Sequence, residues 1–290
     1  MNLSSADVRR SLWPACVRSH NFKEQLAAAA AAGFTHLPIG LVTYRALRAD
    51  GYSDGNILDL AAEQGVKLGH YDGFSAWAPV RFNDDLPAAA RAVFDISSAE
   101  CLEICQRLQL DNICATGTFY PTQFPVSQLA DCFAEFCQQA SAHGVRVDLE
   151  FLPMWGVPTL ADAWNILRSA NASNAGILLD TWHFLKGTPN YALLESLPDG
   201  AITTVQLADA KLHSETGDLF ADCLRFRQLP GDGELALQKV LAILGKKKGI
   251  VNIGPEIFSD QLDLLTAEQA ALKAWQASAD ILHRANYPGA

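Results

Sequence analysis

The chain has 290 residues, of which 49% are hydrophobic and 19% are charged, a balance typical of a folded globular protein. No run of about 18 apolar residues occurs, which argues against a membrane span. The net charge of −10 argues against binding to a nucleic-acid backbone. The seven cysteines include no Cys-x-x-Cys pair, and the N-terminal residues lack a signal-peptide pattern. The sequence therefore predicts a cytoplasmic protein with neither nucleic acid nor membrane as a partner.

Short apolar segments that end in polar residues recur along the chain, and segments with helical spacing lie between most of them. Eight strands alternating with helices predict an α/β protein, a (β/α)8 TIM barrel. A doubly wound open sheet is the alternative, but it would usually carry a Gly-rich phosphate-binding turn, which this chain lacks. No linker divides the chain, so residues 1–290 are predicted to form a single domain. The predicted strand segments are 11–18, 36–40, 66–74, 112–119, 145–153, 175–183, 201–210 and 250–258.

Three of the helical segments have regularly spaced apolar residues, which predict the faces that pack on the barrel. Thr266 and Gln269 have the spacing of a capping box, so the last helix is predicted to begin there. The predicted packing residues are Leu129, Phe133, Phe136 and Ala140 in the first segment, Leu237, Val240, Leu241 and Leu244 in the second, and Leu272, Trp275, Ala279 and Leu282 in the third.

Polar residues alternate with apolar ones at the ends of the later strands. Successive strand residues point to opposite faces, so if the apolar faces lie under the helices, the polar faces point into the barrel. This alternation places Glu150, Asp180, Gln206 and Glu256 at the inward-facing carboxyl ends of four consecutive strands. Barrel enzymes keep their active sites at that rim.

Three carboxylates directed at one axis repel one another unless a positive charge lies between them. Three carboxylates and an amide oxygen form an all-oxygen ligand set, which suits Mn²⁺ or Mg²⁺ better than a structural Zn²⁺ site. The alternative is that each residue is a separate rim side chain with its own partner. That alternative is the better interpretation for one residue alone, but four residues of matching parity favour a metal site.

Five motifs occur in order at the predicted strand ends: "VDLEF", "LLDTWH", "VQLADA", "RQLPGDGEL" and "GPEIFSD". Together they resemble the xylose isomerase-like TIM-barrel superfamily, which includes sugar phosphate isomerases and epimerases, inosose and 3-dehydroshikimate dehydratases, and AP endonucleases. The resemblance implies one divalent metal ion, Mn²⁺ or Mg²⁺ with Co²⁺ or Zn²⁺ as alternatives. The implied metal ligands are Glu150, Asp180, Gln206 and Glu256.

The resemblance also implies roles for residues around the metal. Glu150 and Glu256 are expected to shuttle a proton as well as bind the metal, and His183 is a second acid or base. Arg227, ahead of the Pro-Gly turn, is expected to bind a substrate oxygen or carboxylate. Sugar epimerases of the superfamily usually carry His where this chain has Gln206, and Gln is found in some 3-dehydroshikimate dehydratases. The additional His ligands of the endonucleases are not evident.

Further pocket candidates come from their position near strand ends. His70 is predicted to bind substrate, although a hydrogen-bonded rim residue is an equal alternative. Lys211 reaches either the pocket or solvent. The aromatic residues near strand ends form either an apolar pocket wall or part of the core; they are Trp13, Phe74, Trp155 and Trp182.

The resulting functional hypothesis is a metal-dependent sugar isomerase or epimerase that removes a proton next to a carbonyl through a metal-stabilised enediolate. The alternative is a dehydratase of the 3-dehydroshikimate or inosose type, and a less favoured one is an inactive sugar-binding barrel. The expected substrate is a small polyhydroxy carbonyl compound, and the expected assembly is a homodimer or homotetramer.

Overall fold

The computed structural model describes residues 8–288, and eight strands form its central sheet. They are β1 (Arg9–Arg10), β2 (His36–Ile39), β3 (Lys67–Phe74), β4 (Asn112–Ala115), β5 (Arg146–Glu150), β6 (Ala175–Asp180), β7 (Ile202–Leu207) and β8 (Asn252–Pro255). Within residues 8–288, none of the helices combines the length and the apolar character that crossing a bilayer requires. Residues 1–7 and 289–290 lie outside the described part, so the prediction that the whole chain is one domain stays a prediction.

The strands are parallel and follow one another around a barrel in the order β1-β8-β7-β6-β5-β4-β3-β2. A bridge between Ser11 and His36 closes the ring between β1 and β2. The N–H of Leu12 donates to the carbonyl of His36 at 3.0 Å, and the N–H of Thr35 donates to the carbonyl of Arg10 at 2.9 Å. With helices between the strands, this arrangement confirms the predicted (β/α)8 barrel.

Twelve α-helices are present among the described residues. They are α1 (Phe22–Ala32), α2 (Leu41–Ala49), α3 (Asp54–Glu63), α4 (Ala88–Phe94), α5 (Ser98–Arg107), α6 (Val126–Ala142), α7 (Leu160–Ala170), α8 (Thr181–Lys186), α9 (Tyr191–Ser196), α10 (Leu219–Arg225), α11 (Leu237–Leu244) and α12 (Ala267–Arg284). The predicted capping box at Thr266 and Gln269 is confirmed at the start of α12. The predicted apolar faces of α6 and α11 are buried.

Two predicted details were wrong. Residues 11–18 were predicted to form the first strand, but β1 ends at Arg10 and a 3-10 helix spans Pro14–Val17. Pro14 lacks an N–H and has a fixed φ, so it favours the first turn of a helix over a strand. The face that α12 buries is also rotated from the predicted one, because small side chains let it lie close to the alanine-rich α1. Its buried residues are Ala267, Ala270, Ala271, Ala274, Ser278 and Ile281.

The barrel interior holds a buried polar layer centred on Asp148 of β5. Its carboxylate accepts hydrogen bonds from Asn112 of β4 at 2.8 Å and from Thr203 and Thr204 of β7, both at 2.6 Å. These bonds reach across β6 because Gly176 has no side chain: a Cβ there would lie 2.1 Å from Thr203 Oγ1. The Asp148 carboxylate is satisfied by these three donors, so the layer supports the strand ends above it.

Candidate active site

Four polar side chains meet at the carboxyl ends of β5 to β8. Glu150 ends β5, Asp180 ends β6, Gln206 is next to last in β7, and Glu256 directly follows β8. Asp180 pairs with Gln206 and Gln206 pairs with Gly254 in the sheet, so these strand ends are level. All four side chains are buried. The structure thus brings together the residues that strand parity selected, and their roles as metal ligands stay predictions.

The sequence Asp-x-x-His places an aspartate and a histidine on one short turn. Asp180 is the N-cap of α8, where its Oδ1 accepts hydrogen bonds from the N–H groups of Trp182 at 2.6 Å and His183 at 3.2 Å. One helical turn then returns the His183 ring to the carboxylates. Its Nε2 lies 3.7 Å from Asp180 Oδ2 and 3.6 Å from Glu150 Oε1. One ligand atom from each of these three residues falls within a group spanning 4.8 Å.

Arg227 lies in the same cluster and is fully buried. Its Nη1 donates to Asp180 Oδ2 at 2.6 Å and to Glu256 Oε2 at 3.2 Å, and its Nη2 donates to His183 Nε2 at 3.3 Å. The guanidinium also lies between the rings of Trp182, at 5.2 Å, and Phe258, at 5.1 Å. Arg227 is therefore held in place on every side and partly balances the charge of two carboxylates.

One arginine does not neutralise the whole cluster. Burial, then Asp180, raises the pKa of Glu150 well above its usual range. Burial likewise raises the pKa of Glu256 despite the opposing effect of Arg227. For Asp180 the burial effect is outweighed by Arg227 and His183, so its pKa is lowered. Burial lowers the pKa of His183 to about 3, so its imidazole is neutral near pH 7. The cluster carries an excess of buried negative charge whenever Glu150 and Glu256 ionise.

The hydrogen bonding of the Gln206 amide bears on whether this cluster can bind a metal ion. Its side chain is fully buried, yet neither Oε1 nor Nε2 has a hydrogen-bond partner among the described residues. A buried amide without partners is costly, and such groups are rare unless a bound ion or water satisfies them. Gln206 is paired with Asp180 in the sheet, next to the group formed by ligand atoms of Glu150, Asp180 and His183. These residues fit a divalent cation.

The family model of the xylose isomerase-like TIM barrel matches residues 26–285. The chain belongs to the xylose isomerase-like TIM barrel family. This confirms the resemblance inferred from the five strand-end motifs.

Two curated relatives of this chain are enzymes. A 3-dehydroshikimate dehydratase of Pseudomonas aeruginosa is 29% identical over 249 residues, which cover 83% of this chain but 37% of the dehydratase. An inosose isomerase of Halalkalibacterium halodurans is 28% identical over 152 residues, covering 52% of each chain. The chain thus spans about a third to a half of the length of these relatives. The relatives therefore include both a dehydratase and an isomerase.

Among solved structures, the chain is similar to the IolI protein that was crystallised with a bound zinc atom. The TM-score is 0.79 at 21% identity, and the match covers 96% of this chain and 99% of the IolI chain. At this level of identity the similarity shows the xylose isomerase-like fold.

In this xylose isomerase-like barrel, the sequence analysis missed two residues of the site. Asp72 of β3 lines the cavity above the cluster. Its pKa is raised to about 6, because the effect of burial outweighs the opposing effect of a hydrogen bond from Cys114. Cys114 of β4 also donates to Glu150 Oε2 at 3.4 Å. Strand parity would have identified Asp72, because it lies two residues beyond His70 on the same face of β3.

The structure does not bring His70 or Lys211 to the cavity. His70 lies in the middle of β3, which continues to Phe74, so its buried ring lies below the rim and 5.3 Å from the Trp13 ring. The side chain of Lys211 is 55% exposed and pairs with Glu215 at 2.7 Å. Neither lines the cavity, in contrast to the predicted substrate contacts.

His70 is expected to make the stability of the protein depend on pH. Burial lowers its pKa from 6.5 to about 4, an effect that Asp148 opposes and Arg9 reinforces. The folded state therefore binds fewer protons than the unfolded state below pH 6.5, and stability falls as the pH drops from 6.5 through 4. The titration of His70 alone should lower the free energy of unfolding by about 2 kcal/mol between pH 7 and pH 5.

Urea unfolding at pH 7 and pH 5 measures this effect. His70→Gln removes the titrating ring, so its free energy of unfolding should fall less between the two pH values than that of the wild type. His143→Gln, at an exposed position after α6, is the control and should behave like the wild type. Equal pH sensitivity of wild type and His70→Gln would contradict the expected effect.

A cavity of about 530 Å³ opens above the cluster at the carboxyl end of the barrel. Its floor contains Glu150, His183, Arg227 and Glu256, with Asp72 at one side. The floor thus combines carboxylates, a neutral imidazole and an arginine within one pocket of a size typical for small-molecule sites. The upper walls are mostly apolar and include Val42, Phe94, Met154, Trp155, Phe220 and Phe258.

Proposed function

We propose that this protein is a divalent-metal-dependent isomerase or epimerase of small polyhydroxy ketones. The observation that most supports a metal-dependent reaction is the fully buried Gln206 amide beside Asp180, which has no hydrogen-bond partner among the described residues and lies next to two carboxyls with raised pKa values. A cavity above this cluster is large enough for a small substrate. The inosose isomerase relative supports the same reaction class.

Glu150, Asp180, Gln206 and Glu256 are the residues proposed to hold the cation, Mn²⁺ or Mg²⁺ in preference to Zn²⁺ or Co²⁺ because all four donors are oxygens. The zinc atom bound to the IolI neighbour supports a divalent ion in a barrel of this shape. When bound, the cation supplies positive charge that polarises the substrate carbonyl and stabilises the negative charge that develops beside it.

Proton transfer is assigned to Glu150 and Glu256. Two strands separate β5 from β8 in the barrel, so the two carboxylates approach the cavity from different sides. One carboxylate takes a proton from the carbon next to the carbonyl, and the other returns a proton to the opposite face or to the neighbouring carbon. The first outcome is epimerisation and the second is isomerisation.

His183 and Arg227 are assigned to holding the substrate. Because Arg227 Nη2 can only donate, its 3.3 Å contact with His183 Nε2 favours the tautomer with the ring proton on Nδ1. The neutral ring and the guanidinium both line the cavity floor, where they can bind substrate oxygens. Asp72, with a pKa of about 6, is placed where it can exchange a proton with a bound substrate.

The second candidate function is dehydration of a β-hydroxy ketone. The 3-dehydroshikimate dehydratase relative favours it, because the match covers 83% of this chain, a larger share than the isomerase match covers. The first step, proton removal next to a carbonyl, is the same. The two functions differ in whether a hydroxyl group then leaves.

The deciding experiment is a solvent-deuterium exchange screen with small ketoses, inososes and 3-dehydroshikimate in the presence of Mn²⁺. Deuterium in a recovered ketose supports the isomerase or epimerase, whereas loss of water with a new ultraviolet chromophore supports the dehydratase. Calorimetric titration with Mn²⁺ tests the metal site separately. Protein that binds no Mn²⁺ and exchanges no deuterium would favour an inactive sugar-binding barrel.

Gln206→His is expected to keep metal binding but to shift the preference toward Zn²⁺ or Co²⁺, because an imidazole nitrogen is a softer donor than an amide oxygen. Competition between Mg²⁺ and Zn²⁺, followed by calorimetry, measures the preference. Gln139→His, at an exposed position on α6, is the matched control and should keep the wild-type preference. An unchanged preference in Gln206→His would count against Gln206 as a ligand.

A cytoplasmic location, a homodimer or homotetramer, and the absence of nucleic-acid and membrane partners stay predictions. Substrate binding by His70 and Lys211 is not part of the proposal, since both lie away from the cavity.

A further inference from the structure

The cavity changes character between its floor and its mouth. The floor is polar and acidic, whereas the upper walls come from the loops and helices that follow β2, β3, β5, β7 and β8 and are largely apolar. Apolar groups from five separate segments of the chain therefore line this side of the cavity. The apolar wall is part of the same cavity as the proposed reaction centre, so a bound substrate contacts both.

An aromatic cluster forms the centre of this wall. The Trp155 ring lies 5.6 Å from the Phe94 ring, at 82°, and 6.1 Å from the Phe220 ring. Phe94 lies in α4 after β3, Trp155 in the loop after β5 and Phe220 in α10 after β7, so the cluster joins three separate segments of the chain. Trp155 and Phe220 are only half-buried, which leaves ring surface available inside the cavity. Such surface binds flat apolar groups well.

The cavity offers little to an anionic substrate. Among the described residues that line it, Arg18 and Arg227 are the two arginines, and no lysine is present. Arg18 is bound to Asp263 at 2.7 Å and to the carbonyl of Leu224 at 2.6 Å. Arg227 is bound to Asp180 and Glu256. Both cations are thus already paired with carboxylates of the protein.

The carboxyl groups that line the cavity are Asp72, Glu150 and Glu256. A carboxylate or phosphate on the substrate would face these groups without a surplus cation, because the proposed divalent ion and Arg227 together only balance Glu150, Asp180 and Glu256. An uncharged substrate avoids this cost. An apolar group on that substrate would cover the aromatic wall, which a sugar alone leaves exposed to water.

We propose that the substrate is an uncharged polyhydroxy ketone that carries an apolar group, such as an aryl or alkyl substituent, bound against Phe94, Trp155 and Phe220. This inference rests on the proposed ketose chemistry and adds the substrate class. It differs from a simple transfer of the dehydratase relative's substrate, because dehydroshikimate carries a carboxylate.

Binding of four probes to the Mg²⁺-loaded protein tests the inference: D-fructose, 6-O-benzyl-D-fructose, D-fructose 6-phosphate and 3-dehydroshikimate. Calorimetry or saturation-transfer NMR gives the dissociation constants. The benzyl ketose should bind at least about tenfold more tightly than fructose, because its ring leaves water for the aromatic wall. Both anionic probes should bind more weakly than the benzyl ketose.

Trp155→Ala and Phe220→Ala should each remove most of the benzyl preference, so that the ratio of the dissociation constants of fructose and the benzyl ketose falls toward one. Tyr120→Ala, an exposed aromatic position outside the cavity, is the matched control and should keep the preference. Binding of either anion more tightly than the benzyl ketose would overturn the inference. So would equal binding of the benzyl ketose and fructose, or no detectable binding of either neutral sugar.

Solvent-deuterium exchange into the bound ketose separates the two proposals. Exchange into fructose without any benzyl preference would overturn the substrate class and leave the isomerase proposal standing. A benzyl preference that depends on Trp155, without exchange into any ketose, would support the substrate class and overturn the proposed chemistry.

Discussion

Replacement of Glu150 by glutamine is expected to lower turnover by at least about 1,000-fold in the presence of metal. Glutamine keeps the shape of the side chain but removes both a negative charge and a proton acceptor from the cavity floor. The metal-free protein should be no less stable than the wild type, because burial already disfavours the ionised form of Glu150. Glu256→Gln should behave in the same way, since its carboxyl lies in the same cluster.

Initial rates of deuterium exchange and thermal unfolding with and without Mg²⁺ measure the two effects. The wild type should gain stability on addition of Mg²⁺, and Glu150→Gln should lose most of that gain. Glu103→Gln, an exposed glutamate paired with Arg107 on α5, is the control and should keep both activity and the metal-dependent gain. Turnover near that of the wild type in Glu150→Gln would end its proposed catalytic role.

Replacement of Arg227 by methionine is expected to lower the free energy of unfolding of the metal-free protein by about 3 kcal/mol. The change leaves the fully buried Asp180 carboxylate without its 2.6 Å partner and removes a contact to Glu256. Arg225→Met is a close control two residues away: its side chain is 56% exposed and pairs with Asp260 at the surface. That pair should contribute less than about 1 kcal/mol.

Urea unfolding with and without Mg²⁺ measures this effect. Because the guanidinium and a divalent cation both neutralise Asp180 and Glu256, Mg²⁺ should restore a larger part of the lost stability in Arg227→Met than in Arg225→Met. A loss below about 1 kcal/mol in metal-free Arg227→Met would show that Asp180 does not depend on this arginine. Weaker Mg²⁺ binding in Arg227→Met would instead show that the arginine orients the carboxylates for the metal.

The residues of the proposed metal site were predictable because strands have a strict two-residue period. Four residues lie at the carboxyl ends of apolar strands with the parity of the inward face, and parallel strands of a barrel end at one rim: Glu150, Asp180, Gln206 and Glu256. Asp72 shows the limit of that approach. It has the same parity as His70 and lies inside the predicted strand 66–74, but parity does not say which of the two residues is level with the rim, and the rim lies two residues beyond His70.

Loop residues were not predictable from the same pattern. Lys211 and Trp155 both follow strands, yet the first pairs with Glu215 in solvent and the second joins Phe94 and Phe220 in the cavity wall. The path of a loop depends on packing against other loops distant in the sequence. No local period of the sequence encodes such contacts.

The sequence by itself determined the barrel and the inward-facing carboxylates, because hydrophobic periodicity is a local property that each strand expresses independently. The tertiary structure decided that Arg227 occupies the space between Asp180 and Glu256, that His70 lies below the cavity, and that three aromatic rings line its mouth. These features depend on distances between residues far apart in the chain. Such distances are set by sheet register and side-chain packing once the barrel has closed.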